Sequence, residues 1–520
     1  MDRQGDPMNV AGGAWRRRLS QLLGLAVLAL GVLVVAGCGS KQRAPLAVTL
    51  DRFPTTLDPH HHNEIVDWSL LCNFYDALDR FSSEMKIEPD LAASWSFLGD
   101  DRIRFVLRRG VRFADGSECT SADVVASFER ALHDPHSRIR HQLFDLRSVK
   151  ADGLDAVIIQ TNGPAPTLLN RLAFVFIVPR AAAALPEITA PLGTGPYRFV
   201  ERRRDGSIVA QGWPSWRGTP AIRDVVFSFV ENEEERSSKF LAGGVDVSAR
   251  LVEGVLADVD RAQGLRIEPQ PSLVVQLLVV APGAATGDTR RALADPRVRR
   301  AMLLAIDRTE IVNKIFRGNG AVASQYVHPV VFGYDPAITP VPHDLPRARQ
   351  LLAEAGFAKG FSVELAHGSL PPEYVAALVT DLGRIGIRVH ATRYTLGGLL
   401  RRARAGEVPL VTYGRACTTG DASEFLDSCV HSRSEARGLG LENFSGISDP
   451  ETDALIEAAD RELNPALRLA LLQRAQRRVL ETLPILPLTL RSEYVGLSAR
   501  VTVPIRYDGW LWVNGFQWRQ

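Results

Sequence analysis

Apolar positions along the chain follow two periods, and the switches between them mark its elements. Residues 46–50 (LAVTL) form a short apolar run stopped by Phe53-Pro54 and Asp58-Pro59, which predicts a buried strand closed by turns. From Glu64 to Asp79 the residues Ile65, Trp68, Leu71, Cys72, Tyr75 and Leu78 recur at helical spacing, which predicts one helix. Residues 105–130 read as strand, turn and helix in one run. Asp115-Gly116 makes the turn, Thr120 or Ser121 offers an N-cap oxygen, and Asp123 falls where negative charge suits the helix dipole. Gly193-Thr194-Gly195-Pro196 opens a strand set that continues through 208–211 and 225–230. Helices are predicted over 232–242, 296–316, 345–355, 372–385, 396–404, 450–461 and 465–483, with strands at 362–365, 388–391 and 486–490. The class is α/β without a regular β-α-β rhythm, consistent with two lobes that exchange strands.

One stretch follows neither period. After Arg16-Arg17-Arg18, residues 22–36 are almost wholly apolar and Val35-Ala36-Gly37-Cys38 follows, the order of a secretory signal peptide. The Ala-Gly-Cys ending resembles a bacterial lipobox, in which Cys38 becomes the first mature residue and carries lipid. An uncleaved anchor is the competing reading, since the run approaches the roughly 18 residues that span a bilayer. A spanning helix has no need of that ending, so residues 1–37 are read as signal peptide and 38–45 as a lipidated tether.

Charge narrows the partners. The formal net charge is +2, and residues 1–37 carry Arg3, Arg16, Arg17 and Arg18 against Asp2 and Asp6, so the remainder is near neutral. With no basic stripe, no nucleic-acid partner is expected. Arginine supplies nearly all the positive charge, because lysine stands only at 41, 86, 150, 239, 314 and 359. Besides Cys38, the chain has Cys72, Cys119, Cys417 and Cys429, an even number that suits an oxidising compartment. The pairs Cys72–Cys119 and Cys417–Cys429 are the expected disulfides, and no cysteine or histidine spacing is that of a zinc site.

The string FVLRRGVRFADGSECTSADVVAS at residues 105–127 resembles the signature of the extracytoplasmic solute-binding proteins of family 5, which serve peptide and nickel ABC importers. Further matches follow in the family's order: Leu57-Asp58-Pro59, Tyr75-Asp76-Ala77-Leu78, PDLAASW at 89–95, GTGPYRF at 193–199, Asp295-Pro296-Arg297-Val298 and PILPL at 484–488. Each alone is ordinary turn, cap or core chemistry; their collinearity carries the resemblance. It implies a two-lobed periplasmic-binding-protein-like fold of class II type with an extra N-terminal subdomain. Residues 46–270 would form the N-terminal lobe (extra subdomain near 85–190) and 271–485 the C-terminal lobe, with 486–520 returning to the first. It also implies a monomer, lipid-anchored on the extracytoplasmic face of the cell membrane. That monomer closes over a peptide or peptide-like solute and delivers it to an ABC permease, with no cofactor and no chemistry.

The resemblance also nominates site residues. Aligned on Phe425-Leu426, the position of the family's amine-binding Asp holds Thr418, and the preceding Trp is Arg415. Asp421 or Glu424 then substitutes for the Asp, or the ligand lacks a free amine. Arg415 offers a fork to a carboxylate or phosphate, or is a rim arginine. Tyr394 stands where relatives place a cleft aromatic, and His60, in the loop after Leu57-Asp58-Pro59, borders the cleft. His60-His61-His62 also invites a metal or haem reading, but consecutive residues rarely aim at one centre, so no metal is expected. The alternatives are a non-peptide ligand (metal chelate, haem, sugar or lipid) or a surface sensor on the same fold. A secreted hydrolase is remote, since no G-x-S-x-G, H-E-x-x-H, Walker or G-x-G-x-x-G pattern occurs.

Overall fold

Residues 46–50 form a strand as their pattern predicts, running parallel to Asp224–Phe229 with Val48 opposite Phe227. The computed structural model describes residues 43–251, 255–259 and 261–519, so residues 1–37, expected to be a signal peptide, and Cys38 lie outside the described residues. Leu46–Leu50 sits inside a seven-stranded sheet ordered Leu265–Gln270, Glu493–Ser498, Val247–Ser248, Leu46–Leu50, Asp224–Phe229, Ile208–Gly212 and Tyr197–Arg202. A second sheet of six strands centres on Val274–Val280, which pairs antiparallel with both Ile485–Arg491 and Leu410–Ala416. The chain therefore crosses from the first sheet to the second through Pro271, Ser272 and Leu273, and returns at Ser492 rather than at 486. Strand Ile485–Arg491 stays in the second sheet because it is paired on both sides, with Val274–Val280 and with Gly320–Val322. Among the described residues no helix is long and apolar enough to cross a membrane.

A third sheet, ordered Ala92–Phe97, Arg102–Leu107, Ala156–Thr161 and Leu146–Ala151, carries helix Ser121–His133 on an apolar cluster that includes Phe105, Val124, Phe128 and Ile159. The local signals read in residues 105–130 act as written. Thr120 is the N-cap, and its N and Oγ1 both donate to Asp123 Oδ2 at 2.9 Å. Asp123 Oδ1 accepts from the Arg180 backbone N at 2.8 Å, so the cap also ties down the next segment. Gly116 takes φ +89° in the turn, a backbone that glycine adopts without strain.

Two predicted helices are shorter than their periodicity. The helix expected over 64–79 is Ile65–Leu71 only. Asn73 Nδ2 donates to the Ser69 and Leu70 carbonyls and to Leu511 O, and the Phe74 carbonyl accepts from Gly195 N at 2.9 Å. Tertiary partners thus take the groups a longer helix needs, and Asp79–Phe81 becomes a strand against Ile87–Pro89. The helix expected over 296–316 stops at Ala305, because Asp307 turns the chain and caps the next short helix through Glu310 N at 2.8 Å.

The four cysteines correct the disulfide expectation: all are free thiols. Cys72 sits in the large core that the first and second sheets share and donates to Ser69 O at 3.4 Å, whereas Cys119 packs on the separate cluster of the third sheet. Cys417 and Cys429 are both buried in the second lobe, with Cys429 Sγ 3.9 Å from the Tyr413 hydroxyl. Burial pushes the Cys417 and Cys429 thiols up, which disfavours the thiolate needed for exchange.

The glycines of the 193–199 run answer to a close approach. A Cβ at Gly193 would lie 2.2 Å from the Phe74 carbonyl oxygen, whereas one at Gly163 would meet nothing within 4 Å. Gly193→Ala should therefore lower stability by about 1–3 kcal/mol, and Gly163→Ala should leave it within about 0.5 kcal/mol or raise it slightly. Urea midpoints of the two variants against the parent check the pair.

Candidate ligand-binding cleft

Where the two sheets exchange strands, side chains from both face one another across a crevice. Helix Ile65–Leu71 presents Trp68, with Phe174 at a ring distance of 4.7 Å and Trp510 stacked on it at 6.5 Å. Phe81 completes this wall, 5.7 Å from Phe174. Opposite stand Val274 at the start of its strand, Ala416 at the end of its own, and Thr418 in the loop beyond. The space between them is about 40 Å³, room for little more than water, so a larger ligand needs the walls to part. It continues into a recess of about 190 Å³ beside Gln276, Thr412 and Tyr413, and into a polar crevice of about 930 Å³ that reaches Glu234 and Arg393.

Glu493 borders all three spaces, directly after the returning crossing. Arg250, held at φ +48°, donates to it at 3.0 Å through Nε and to Asp51 at 2.8 Å through Nη1. Burial works against the Arg250 charge, but the two carboxylates outweigh it and hold the guanidinium protonated. Farther along, Asn170 Nδ2 donates to the Thr419 carbonyl at 2.7 Å, and a Cβ on Gly420 would lie 3.4 Å from the Met85 carbonyl oxygen. His328 packs on Tyr507 with ring centroids 5.0 Å apart. The second sheet's loop 418–420 thus docks directly on residues of the first half of the chain.

The predicted site residues divide. Thr418 stands in the cleft wall, its Oγ1 3.3 Å from both oxygens of Glu424. Glu424 also accepts from Thr419 N at 2.8 Å, so that carboxylate holds the loop instead of replacing an amine-binding Asp. Arg415 turns inward: Glu424 and Glu442 each lie 3.6 Å away, and together they raise its affinity for the proton against the cost of burial. It presents no open fork to the cleft. Asp421 is 3 % exposed and clamps Arg468 with bonds of 2.6 and 2.8 Å. Tyr394 follows strand Ile387–Arg393 and lies under the Arg402 guanidinium at 5.0 Å, away from the aromatic walls.

His60 is fully buried, with Nε2 2.9 Å from the Phe176 carbonyl and Nδ1 3.1 Å from Arg130, which in turn grips Asp58 at 2.8 and 2.6 Å. His61 pairs with Asp134 at 2.7 Å, and His62 lies edge-on to Trp68. Burial drives His60 to about 4 and His62 to about 3, so both are neutral supports of the loop, and the three rings do not converge. Sequence reasoning missed Trp68, Phe174, Arg250, Glu493 and Trp510. Trp68 was legible only as a core position; the crowding of Trp510 and Trp512 near the C-terminus was the one signal for the rest of its wall.

Comparison with known proteins follows the same architecture. The model of the bacterial extracellular solute-binding proteins, family 5 middle, matches residues 86–436. Haem-binding protein A of Haemophilus influenzae is 27 % identical over 470 residues, covering 82 % of this chain and 84 % of that protein. Di/tripeptide-binding protein 2 of Pseudomonas aeruginosa is 28 % identical over 500 residues, covering 88 % and 92 %. The periplasmic binding protein DppA from Helicobacter pylori, solved in complex with the peptide STSA, superposes with a TM-score of 0.75 at 22 % identity over 92 % of this chain and 98 % of its own.

Asp67 sits beneath the Trp68 wall, and burial pushes its carboxyl up to about 6 although Thr55 N and Oγ1 bind it at 3.1 and 2.9 Å. Its folded value lies above the unfolded one near 3.8, so the stability it confers is complete below pH 3.8 and lost as pH rises through 6. Asp67→Asn should remove on the order of 2 kcal/mol of the pH dependence between pH 4 and 6. Urea titrations at both pH values, with and without the substitution, read it.

Proposed function

The chain belongs to the family 5 bacterial extracellular solute-binding proteins, and on that premise we propose that it captures peptides or a peptide-like solute between its lobes and delivers it to an ABC importer. The family binds and does not catalyse. In this reading the lobes are 46–270 and 271–491 with the C-terminal segment returning, the extra subdomain is the 85–190 region, and the hinge is Pro271, Ser272, Leu273 and Ser492. Cys38 carries the lipid that holds a monomer at the extracytoplasmic face of the membrane, beside its permease.

The observation that supports peptide capture is the aromatic wall of Trp68, Phe174 and Trp510, facing the end of a strand at Ala416 and the loop at Thr418 across the crossing strands. Flat apolar faces opposite a polypeptide edge suit a ligand that alternates side chains with amides. A lobe pair stabilises closure only through contacts better made when shut, and a 40 Å³ space leaves such contacts to whatever displaces its water. Haem finds less support, since His60 is bonded to Phe176 and Arg130, and His62, whose ring nitrogens have no partner, is only 2 % exposed and does not line the cleft.

Native mass spectrometry of the secreted body, residues 39–520, followed by denaturation, should release a peptide ladder of defined length. A metal, haem, sugar or lipid mass would replace the solute assignment. With a recovered peptide, Trp68→Ala and Trp510→Ala should each weaken binding by about tenfold or more in calorimetry while the far-ultraviolet spectrum is kept. Unchanged affinity in both would place the ligand elsewhere.

A further inference from the structure

Behind the aromatic wall lies a smaller cavity of about 30 Å³ that shares Phe81 and Trp510 with the cleft. Asp79 lines it. Its side chain is fully buried, and neither carboxylate oxygen has a hydrogen-bond partner. The residue opposite it in the strand pair is Pro89, which has no N–H to give. A buried carboxylate without a partner is costly, and such groups in native proteins call for an explanation.

The neighbouring charges do not supply one. Arg217 is committed to Asp76 at 3.0 Å and to Asp90, Arg506 to Asp508 at 3.0 Å through Nε, and Arg80 to Glu88 at 3.3 Å. These three arginines already face four carboxylates, and Asp79 adds to that surplus of negative charge. Burial alone lifts its carboxyl well above the usual range, so without a cation it keeps its proton. Thr418, across the cleft, carries no charge that would meet a cationic solute.

We propose that Asp79 and its cavity form a subsite for a primary ammonium group of the captured solute, entering past Phe81 and Trp510. The class follows from size and chemistry. A space of about 30 Å³ holds one water-sized group, which an ammonium is and a guanidinium or a trimethylammonium is not. Three N–H donors satisfy the orphan oxygens, and the Trp510 ring lines the cavity as a face that favours a cation, the Trp512 ring being already covered by Arg80 at 4.7 Å and Arg217 at 5.3 Å. The subsite deepens the peptide reading, since a lysine side chain or a free amino terminus carries this group, but it stands on its own geometry.

Two measurements on the mature chain test the subsite and the peptide reading separately. Thermal unfolding is followed in n-butylammonium chloride and in tetramethylammonium chloride at equal concentration. The parent should melt about 1–2 °C higher in butylammonium, and Asp79→Asn and Asp79→Val should show no difference between the salts. Both variants should fold, because each keeps or removes a neutral buried group of similar size, and Asp79→Val, which leaves no unpartnered polar group, should melt above the parent without salt. In the second measurement, the tripeptide Ala-Lys-Ala is titrated against the form acetylated at both its amino terminus and Nζ. The parent should prefer the free ammonium by about tenfold, and Asp79→Asn should erase that preference while binding the acetylated form as the parent does. Equal melting of the parent in the two salts, a salt difference that survives in both variants, or tripeptides bound without preference would each overturn the subsite. A butylammonium effect confined to the parent, with neither tripeptide bound, would uphold the subsite and remove the peptide reading.

Discussion

The chain passes between its two large sheets at two adjacent places, residues 271–273 and Ser492, and the rest of the architecture follows from that constraint. One face of the second sheet packs on its own apolar core through Leu278, Val280 and Leu365, whereas Val275, Leu277 and Val279 share one core with Val48 and Phe227 of the first sheet. The strands that leave one sheet enter the other at its centre, as Val274–Val280 shows with partners on both sides. Bending at the crossings leaves both ladders intact, so it costs far less than bending within a lobe. The ligand space opens at this seam because only there do the two halves face each other without a continuous ladder. Arg250, bridging Asp51 and Glu493, fixes the seam's floor.

Arginine is the main polar mortar of this molecule. Arg236, 1 % exposed, donates to the carbonyls of Val230, Ala249 and Arg250 and so ties two loops to one helix. Arg130 with Asp58, Arg171 with Asp145, and Arg468 with Asp421 fasten loops in the same manner. Bidentate forks of this kind satisfy buried carboxylates better than lysine would. This use of charge explains why several residues that alignment nominated for ligand contact hold the fold instead. It also makes Asp79, which no fork reaches, conspicuous.

Elements encoded by local chemistry were legible in the sequence: the Thr120–Asp123 cap, the Asp115-Gly116 turn, the buried run at 46–50 and the long helix Pro465–Thr482. What failed depended on partners distant in sequence. The 64–79 periodicity is real, yet Asn73 and Gly195 redirect its backbone. The break after Ala305 needs Asp307, whose N–H donates to Asp381. At the site, the family pattern led to Thr418 in the wall, but Asp421, Arg415 and His60 looked like ligand groups only while their partners Arg468, Glu442 and Phe176 were unseen. The aromatic wall joins residues from the helix at 65–71, Phe174 and the far C-terminus, and no spacing rule connects them.

The most direct test of the clamp is a distance across its mouth. Fluorophores at Glu234→Cys and Arg393→Cys, both exposed and bordering the polar crevice, would report it in residues 39–520 with Cys119→Ser, since Cys72, Cys417 and Cys429 are buried. Single-molecule energy transfer should show a broad population with a long-distance component in the ligand-free protein. Saturating peptide should collapse it to one short distance. A distribution that is the same with and without bound peptide would contradict closure about the crossing strands.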